Sequence, residues 1–227
     1  MSEKSLKYLK NSKWFHGTTL DGWNGICEKG ILSDFNIDNE LDFGYGFYLT
    51  HDEDQAKKFI TTLLRVTRDS TLSEISSLYP LKENKENKEN RIAVVIEFEF
   101  SPYEWISDYN YKLLNKYDDE FAEFVFLNRI ENVGGSKQHS HDFIFGVMSD
   151  SNPIIDIARY RNDEIGKEQV IESFKKSTSA KQLSIHNQSL CDIIKPSKGY
   201  LIDTGEELNM NDYINKRKQG STHIPIV

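Results

Sequence analysis

The stretch Asp42–Phe59, DFGYGFYLTHDEDQAKKF, decides how the chain reads. Gly44 and Gly46 stand among Phe43, Tyr45, Phe47 and Tyr48, and the pattern then turns helical. Glycine serves where backbone turns tightly or approaches something closely. Aromatic rings serve where a flat group is gripped. Together they suggest a flat ligand held against backbone. Taken alone, a glycine-aromatic loop is more often a tight turn over a core. Two glycines are also not a dinucleotide fingerprint, and there is no Walker lysine.

Outward from this stretch the chain reads as one folding unit. SEKSLKYLK predicts a short amphipathic helix and KWFHG a short strand ending at Gly17. LDGWNGICEKG predicts a helix with Trp23 and Ile26 on one face and Gly30 as its stop. After a polar loop over 33–42, GFYLT predicts a strand; Thr50 and Glu53 read as a capping box for a helix running to about Val66. The run Lys82–Asn90, KENKENKEN, is charged and of low complexity, and reads as an exposed loop. RIAVVIEFEF is the clearest strand, with Ile92, Val94, Ile96, Phe98 and Phe100 on one face and Glu97 and Glu99 on the other. DDEFAEFVFLNRI predicts a helix with acidic residues in its first turn. HDFIFGVM, QLSIHN and GYLID predict further strands, and GKEQVIESFKKS a helix. Mixed elements without regular βαβ alternation predict an α+β fold in a single domain over 1–227.

Composition narrows the function classes. The 227 residues carry a net charge of -8, which disfavours a broad phosphate-binding surface. With 37% hydrophobic residues and a mean hydropathy of -0.60, the chain reads as a soluble protein with much polar surface. No apolar run approaches the roughly 18 residues of a membrane helix, and the first residues lack the apolar centre of a secretion signal. No membrane partner is expected, and the reading is cytoplasmic. Cys27 and Cys191 stand far apart and read as reduced, partly buried thiols. His139 and His141 share a strand face without a third ligand at a useful spacing, so no metal is expected. Lys216–Lys218 reads as a solvated tail.

One element gains meaning from order. WFHGTT, Trp14–Thr19, ends a strand in a histidine, and a lone histidine there is more often structural. Followed by a helix, a loop, GYGFYLT and another helix, however, it resembles the diphtheria-toxin-like and poly(ADP-ribose) polymerase-like ADP-ribosyltransferases, which carry a His-Tyr-Glu triad. It is similar in particular to a bacterial family of small ADP-ribosyltransferase-like domains. The motifs carrying the resemblance are FHGTT, DFGYGFYLTHDEDQAKKFI, HDFIFGVMSD and QLSIHNQ, over roughly residues 13–203, leaving a tail over 204–227.

The resemblance implies two small antiparallel sheets around a cleft for NAD, with flanking helices. His16 corresponds to the triad histidine, which binds the adenosine-side ribose. Gly17 corresponds to the residue whose backbone holds the nicotinamide carboxamide. Tyr48 corresponds to the tyrosine that packs on the nicotinamide ring, and Phe59 to the aromatic covering its other face. Thr18, Gly46 and Phe47, in the same two motifs, complete the residues assigned to the dinucleotide. A serine that often binds the carboxamide falls at Ala56. The triad glutamate falls at Gln182, which accepts a hydrogen bond but neither carries charge nor takes a proton. Asp142, Asp150 and, more remotely, Glu172 are the carboxylates open as substitutes.

The expected activity is transfer of ADP-ribose from NAD with release of nicotinamide. The acceptor stays open among protein, nucleic acid and small molecule. Proteins of this kind are often bacterial toxins or defence elements, which leaves room for a neutralising or regulatory partner. Two other readings stand beside it: a catalytically weakened NAD- or ADP-ribose-binding module, for which Gln182 is the warning, and an NAD glycohydrolase.

Overall fold

In the computed structural model, which describes residues 6–36, 41–68, 91–130, 139–149, 153–176, 178–211 and 213, the strongest apolar alternation of the chain becomes strand β3. Strands β1 (Lys13–Thr19), β3 (Ala93–Glu99) and β7 (Pro196–Leu201) form an antiparallel sheet in the order β1–β3–β7. Strands β2 (Phe47–Leu49), β4 (Tyr111–Leu114), β5 (Phe143–Val147) and β6 (Lys181–Ile185) form a second sheet in the order β2–β6–β5–β4. Among the described residues six α-helices accompany them: α1 (Leu20–Lys29), α2 (Glu53–Arg68), α3 (Asp119–Arg129), α4 (Pro153–Arg161), α5 (Lys167–Phe174) and α6 (Gln188–Ile193). The fold is α+β. The segment Lys82–Asn90, Asp150 and Lys216–Lys218 lie outside the described residues.

The alternation of side chains sets the layers. Trp14, Val94, Ile96 and Phe98 of the first sheet meet Phe47, Leu49, Phe143, Phe145, Leu183 and Ile185 of the second in one core. Each such side chain taken fully out of water contributes about 1.5–3 kcal/mol. The outer face of the first sheet, at Phe15 and Val95, packs on Ala56 of α2. The outer face of the second, at Leu114 and Ile144, packs on Phe121, Val125 and Phe126 of α3 and on Val170 and Phe174 of α5.

The structure departs from the sequence expectation in several places. The second sheet is not wholly antiparallel, because β4 and β5 run parallel. Helix α3 lies between them in the chain, and parallel neighbours need a crossover of about this length. The cap of α2 is Asp52, whose Oδ1 accepts from the backbone N–H groups of Asp54 (3.0 Å) and Gln55 (3.2 Å). Thr50 is unavailable as that cap because it is still bridged to Phe15 in extended backbone, and Glu53 instead accepts from the Tyr200 hydroxyl. The first predicted helix is a single 3-10 turn, Lys7–Lys10. Cys27 and Cys191 are buried and form no disulfide. Among the described residues no helix is long and apolar enough to cross a membrane.

Candidate functional site

Strands β1 and β2 touch at one bridge and then part. Phe15 and Thr50 exchange both backbone hydrogen bonds, at 2.7 and 2.9 Å. In an antiparallel strand these groups alternate between the two edges. Phe15 therefore directs its groups away from β3, and so does Gly17, two residues on. No described residue pairs with the Gly17 N–H or C=O, since β2 turns away to pair along β6. Beneath this edge lies α2: a Cβ on residue 17 would come within 2.4 Å of the Ala56 backbone oxygen. Glycine is required there by packing, and the result is a donor and an acceptor side by side on an open edge. A primary carboxamide is their complement.

His16, half-buried, points from the other face of β1. Its Nδ1 lies 2.7 Å from the backbone oxygen of Tyr48. A carbonyl only accepts, so Nδ1 carries the proton and Nε2 keeps its lone pair. The ring rests on Phe47, with centroids 4.6 Å apart. Burial pushes the imidazole pKa down, and the weaker pull of the Tyr48 carbonyl does not restore it. At neutral pH His16 is therefore an uncharged side chain presenting an acceptor.

Tyr48 is half-buried on β2. Its hydroxyl donates to the Gly44 carbonyl at 2.7 Å and accepts from the Phe43 N–H at 3.1 Å. Burial first, and the Asp42 charge second, push its pKa well up, so the phenol stays protonated and braces the loop. The glycines of that loop have internal reasons. Gly44 adopts φ 75°, which favours glycine. A Cβ on Gly46 would meet His186 Nδ1 at 2.7 Å, and the Asn36 side chain clasps both backbone groups of Gly46 at 2.9 Å. Gly44 thus makes a turn and Gly46 a close approach to the end of β6 and His186. Phe43 and Phe47 are core residues, Phe47 serving as the floor under His16.

Gln182 joins this region through β6. Tyr48 stands opposite Ser184, and Gln182 lies two residues along on the same face. The Gln182 Nε2 donates to Asp42 Oδ2 at 2.8 Å. Asp42, 2% exposed, also receives Arg129 Nε (2.7 Å), the Ser149 N–H (2.9 Å) and the Ser149 hydroxyl (2.6 Å). Burial pushes its carboxyl up, but the Arg129 guanidinium and the Ser149 hydrogen bonds outweigh it and hold the pKa below the usual value. A carboxylate therefore does stand beside the third position, and it opens the very motif from which the sequence was read. An acid set directly before a run of aromatics was the available signal.

The remaining candidates are spread over several parts of the fold. Phe59 is 46% exposed on α2, between Ala56 and Ile60, which lie under Gly17. Thr18 packs on Gly22 of α1, at the start of that helix. Asp142 belongs to a different construction. Its carboxylate accepts from the Asn110 N–H and the Asn187 side chain, both at 2.8 Å, at the opposite end of β5 from Gly146, the partner of Gln182. Glu172 lines a cavity of about 230 Å³ between α4 and α5 with Asp156, Arg159 and Gln169. That cavity is open, contains no aromatic ring and includes none of the residues above, so it is not the counterpart of the β1–β2 gap. His139 donates from Nε2 to the Phe43 carbonyl at 2.8 Å and accepts at Nδ1 from the His141 N–H, which occupies both its nitrogens.

The chain belongs to the family described as a protein of unknown function, DUF3990, whose model matches residues 34–195. The matched stretch holds Asp42, Gly46, Tyr48, Phe59 and Gln182 and begins after His16 and Gly17. No curated protein and no solved structure matches the chain.

Proposed function

We propose that the chain is an NAD-dependent ADP-ribosyltransferase that releases nicotinamide and acts on an acceptor in the cytoplasm, as a bacterial toxin or defence effector. The observation that carries this reading is the open edge at Gly17. Its unpaired N–H and C=O match a carboxamide; the preceding residue, His16, bonds the Tyr48 carbonyl, and the helix packed beneath the edge carries the exposed Phe59. His16 offers Nε2 to a ribose hydroxyl. In the reaction the glycosidic bond from ribose C1′ to the nicotinamide nitrogen breaks, and its electron pair leaves with nicotinamide. A nucleophilic atom of the acceptor bonds to C1′, and its proton passes to solvent. Positioning in the gap lowers the entropic part of the barrier.

A second reading is favoured by one residue. Gln182 is neutral, and a site that needed its own charge at that position would bind NAD without turning it over. Incubation with NAD, following nicotinamide release with and without cell extract, separates the cases. Release that depends on extract supports the transferase, release without it a glycohydrolase, and binding without release a binding module. Absence of both binding and release overturns the reading.

A further inference from the structure

Gln182 and Asp42, 140 positions apart in the chain, meet at 2.8 Å. A carboxylate accepts and never donates, so the amide cannot flip: Nε2 faces Asp42 and Oε1 faces away. Among the described residues Oε1 has no partner. The carboxylate is itself immobilised. Oδ1 takes Arg129 Nε and the Ser149 hydroxyl, while Oδ2 takes the Ser149 N–H and Gln182. Every strand or helix concerned is different: Arg129 ends α3, Ser149 follows β5 and Gln182 lies in β6.

We infer that Asp42 is the positioning residue of the site, holding the Gln182 amide so that Oε1 is the acceptor presented to the nicotinamide-side ribose, and polarising it through an N–H to carboxylate bond. This rests on the NAD-transfer reading. A hydrogen bond to an ionised partner is roughly twice as strong as a neutral one, and it raises the partial negative charge at the far end of the amide. Gln182 thereby carries part of the charge of Asp42 to the reacting ribose without ionising. During transfer Oε1 accepts the ribose hydroxyl hydrogen bond and takes no proton. Asp42 stays ionised against Arg129 and touches no reacting atom.

Three proteins test this: wild type, Asp42→Asn and Gln182→Glu, each assayed for folding, NAD affinity, KM and kcat of nicotinamide release. Wild type with neither binding nor release overturns the transfer reading itself. With an active wild type, Asp42→Asn is expected to lower kcat about tenfold or more while changing KM little, because the amide loses its fixed orientation and its charged partner. An unchanged kcat in folded Asp42→Asn overturns the inference. Should Asp42→Asn fail to fold, Gln182→Glu decides. Two carboxylates at this distance share a proton, so its kcat profile must gain an ionisation above the usual carboxylate range that wild type lacks. A profile without it overturns the inference.

Discussion

His16 donates from Nδ1 to the backbone carbonyl of Tyr48 at 2.7 Å, so the tautomer of the histidine is set by a strand. This bond ties β1 to β2 just where their backbones separate, and it leaves Nε2 free to accept. The same contact orients the two residues in which the histidine and tyrosine motifs meet.

A pH dependence follows. The His16 pKa is lowered from the ordinary 6.5, chiefly by burial, against the opposing Tyr48 bond. NAD affinity, followed by calorimetry, is expected to be flat from pH 6.5 upward and to weaken only as pH falls through the lowered value. The sign for folding agrees: below 6.5 the unfolded chain takes up the proton first, so stability falls with falling pH and is full above it. Affinity that improves in acid would contradict the acceptor role of Nε2.

Phe59→Ala separates folding from binding. The ring is 46% exposed, so the denaturation midpoint should correspond to a change within about 0.5 kcal/mol. NAD affinity should fall by about 0.5–1.5 kcal/mol, the scale of one aromatic pair. Equal affinities would remove Phe59 from the site.

Tyr48→Phe and Tyr48→Ala divide the roles of hydroxyl and ring. The phenylalanine variant loses the bonds to Gly44 and Phe43 and should lose about 1–2 kcal/mol of stability with NAD affinity kept. The alanine variant should in addition lose about 1–3 kcal/mol of NAD binding. Equal affinity in the two variants, measured by titration on folded protein, would show that the ring does not touch the ligand.

Gly17→Ala forces a Cβ to 2.4 Å from the Ala56 oxygen, a backbone atom that cannot swing aside. The variant should lose about 1–3 kcal/mol of stability as α2 is pushed off β1. NAD affinity should fall with it, because the edge and the helix shift together. Wild-type stability in chemical denaturation would show that the two backbones are not in contact.

Much of the fold was legible because period-two alternation survives in the sequence. Val94, Ile96 and Phe98 share a face as expected, with Glu97 on the other, reaching Lys13. Strand β4 was not anticipated: Tyr111–Leu114 is four residues long with no clear alternation, and it exists by pairing with β5. Helices α4 and α6 are likewise short, at nine and six residues, and are settled by what they pack against. The capping of α2 by Asp52 depended on Thr50 being held in the β1 bridge, a long-range fact.

The sequence by itself determined the α+β class, the strand at β3, and the order in which His16, Tyr48 and Gln182 follow one another. Alternation and helix stops are local and remain visible without a third dimension. Only the tertiary structure decided which groups are near which. The open edge of Gly17 exists because β2 leaves β1 after one bridge to pair with β6. The carboxylate beside Gln182 is Asp42, because burial tolerates a charge only where Arg129, Ser149 and the amide arrive together from distant parts of the chain.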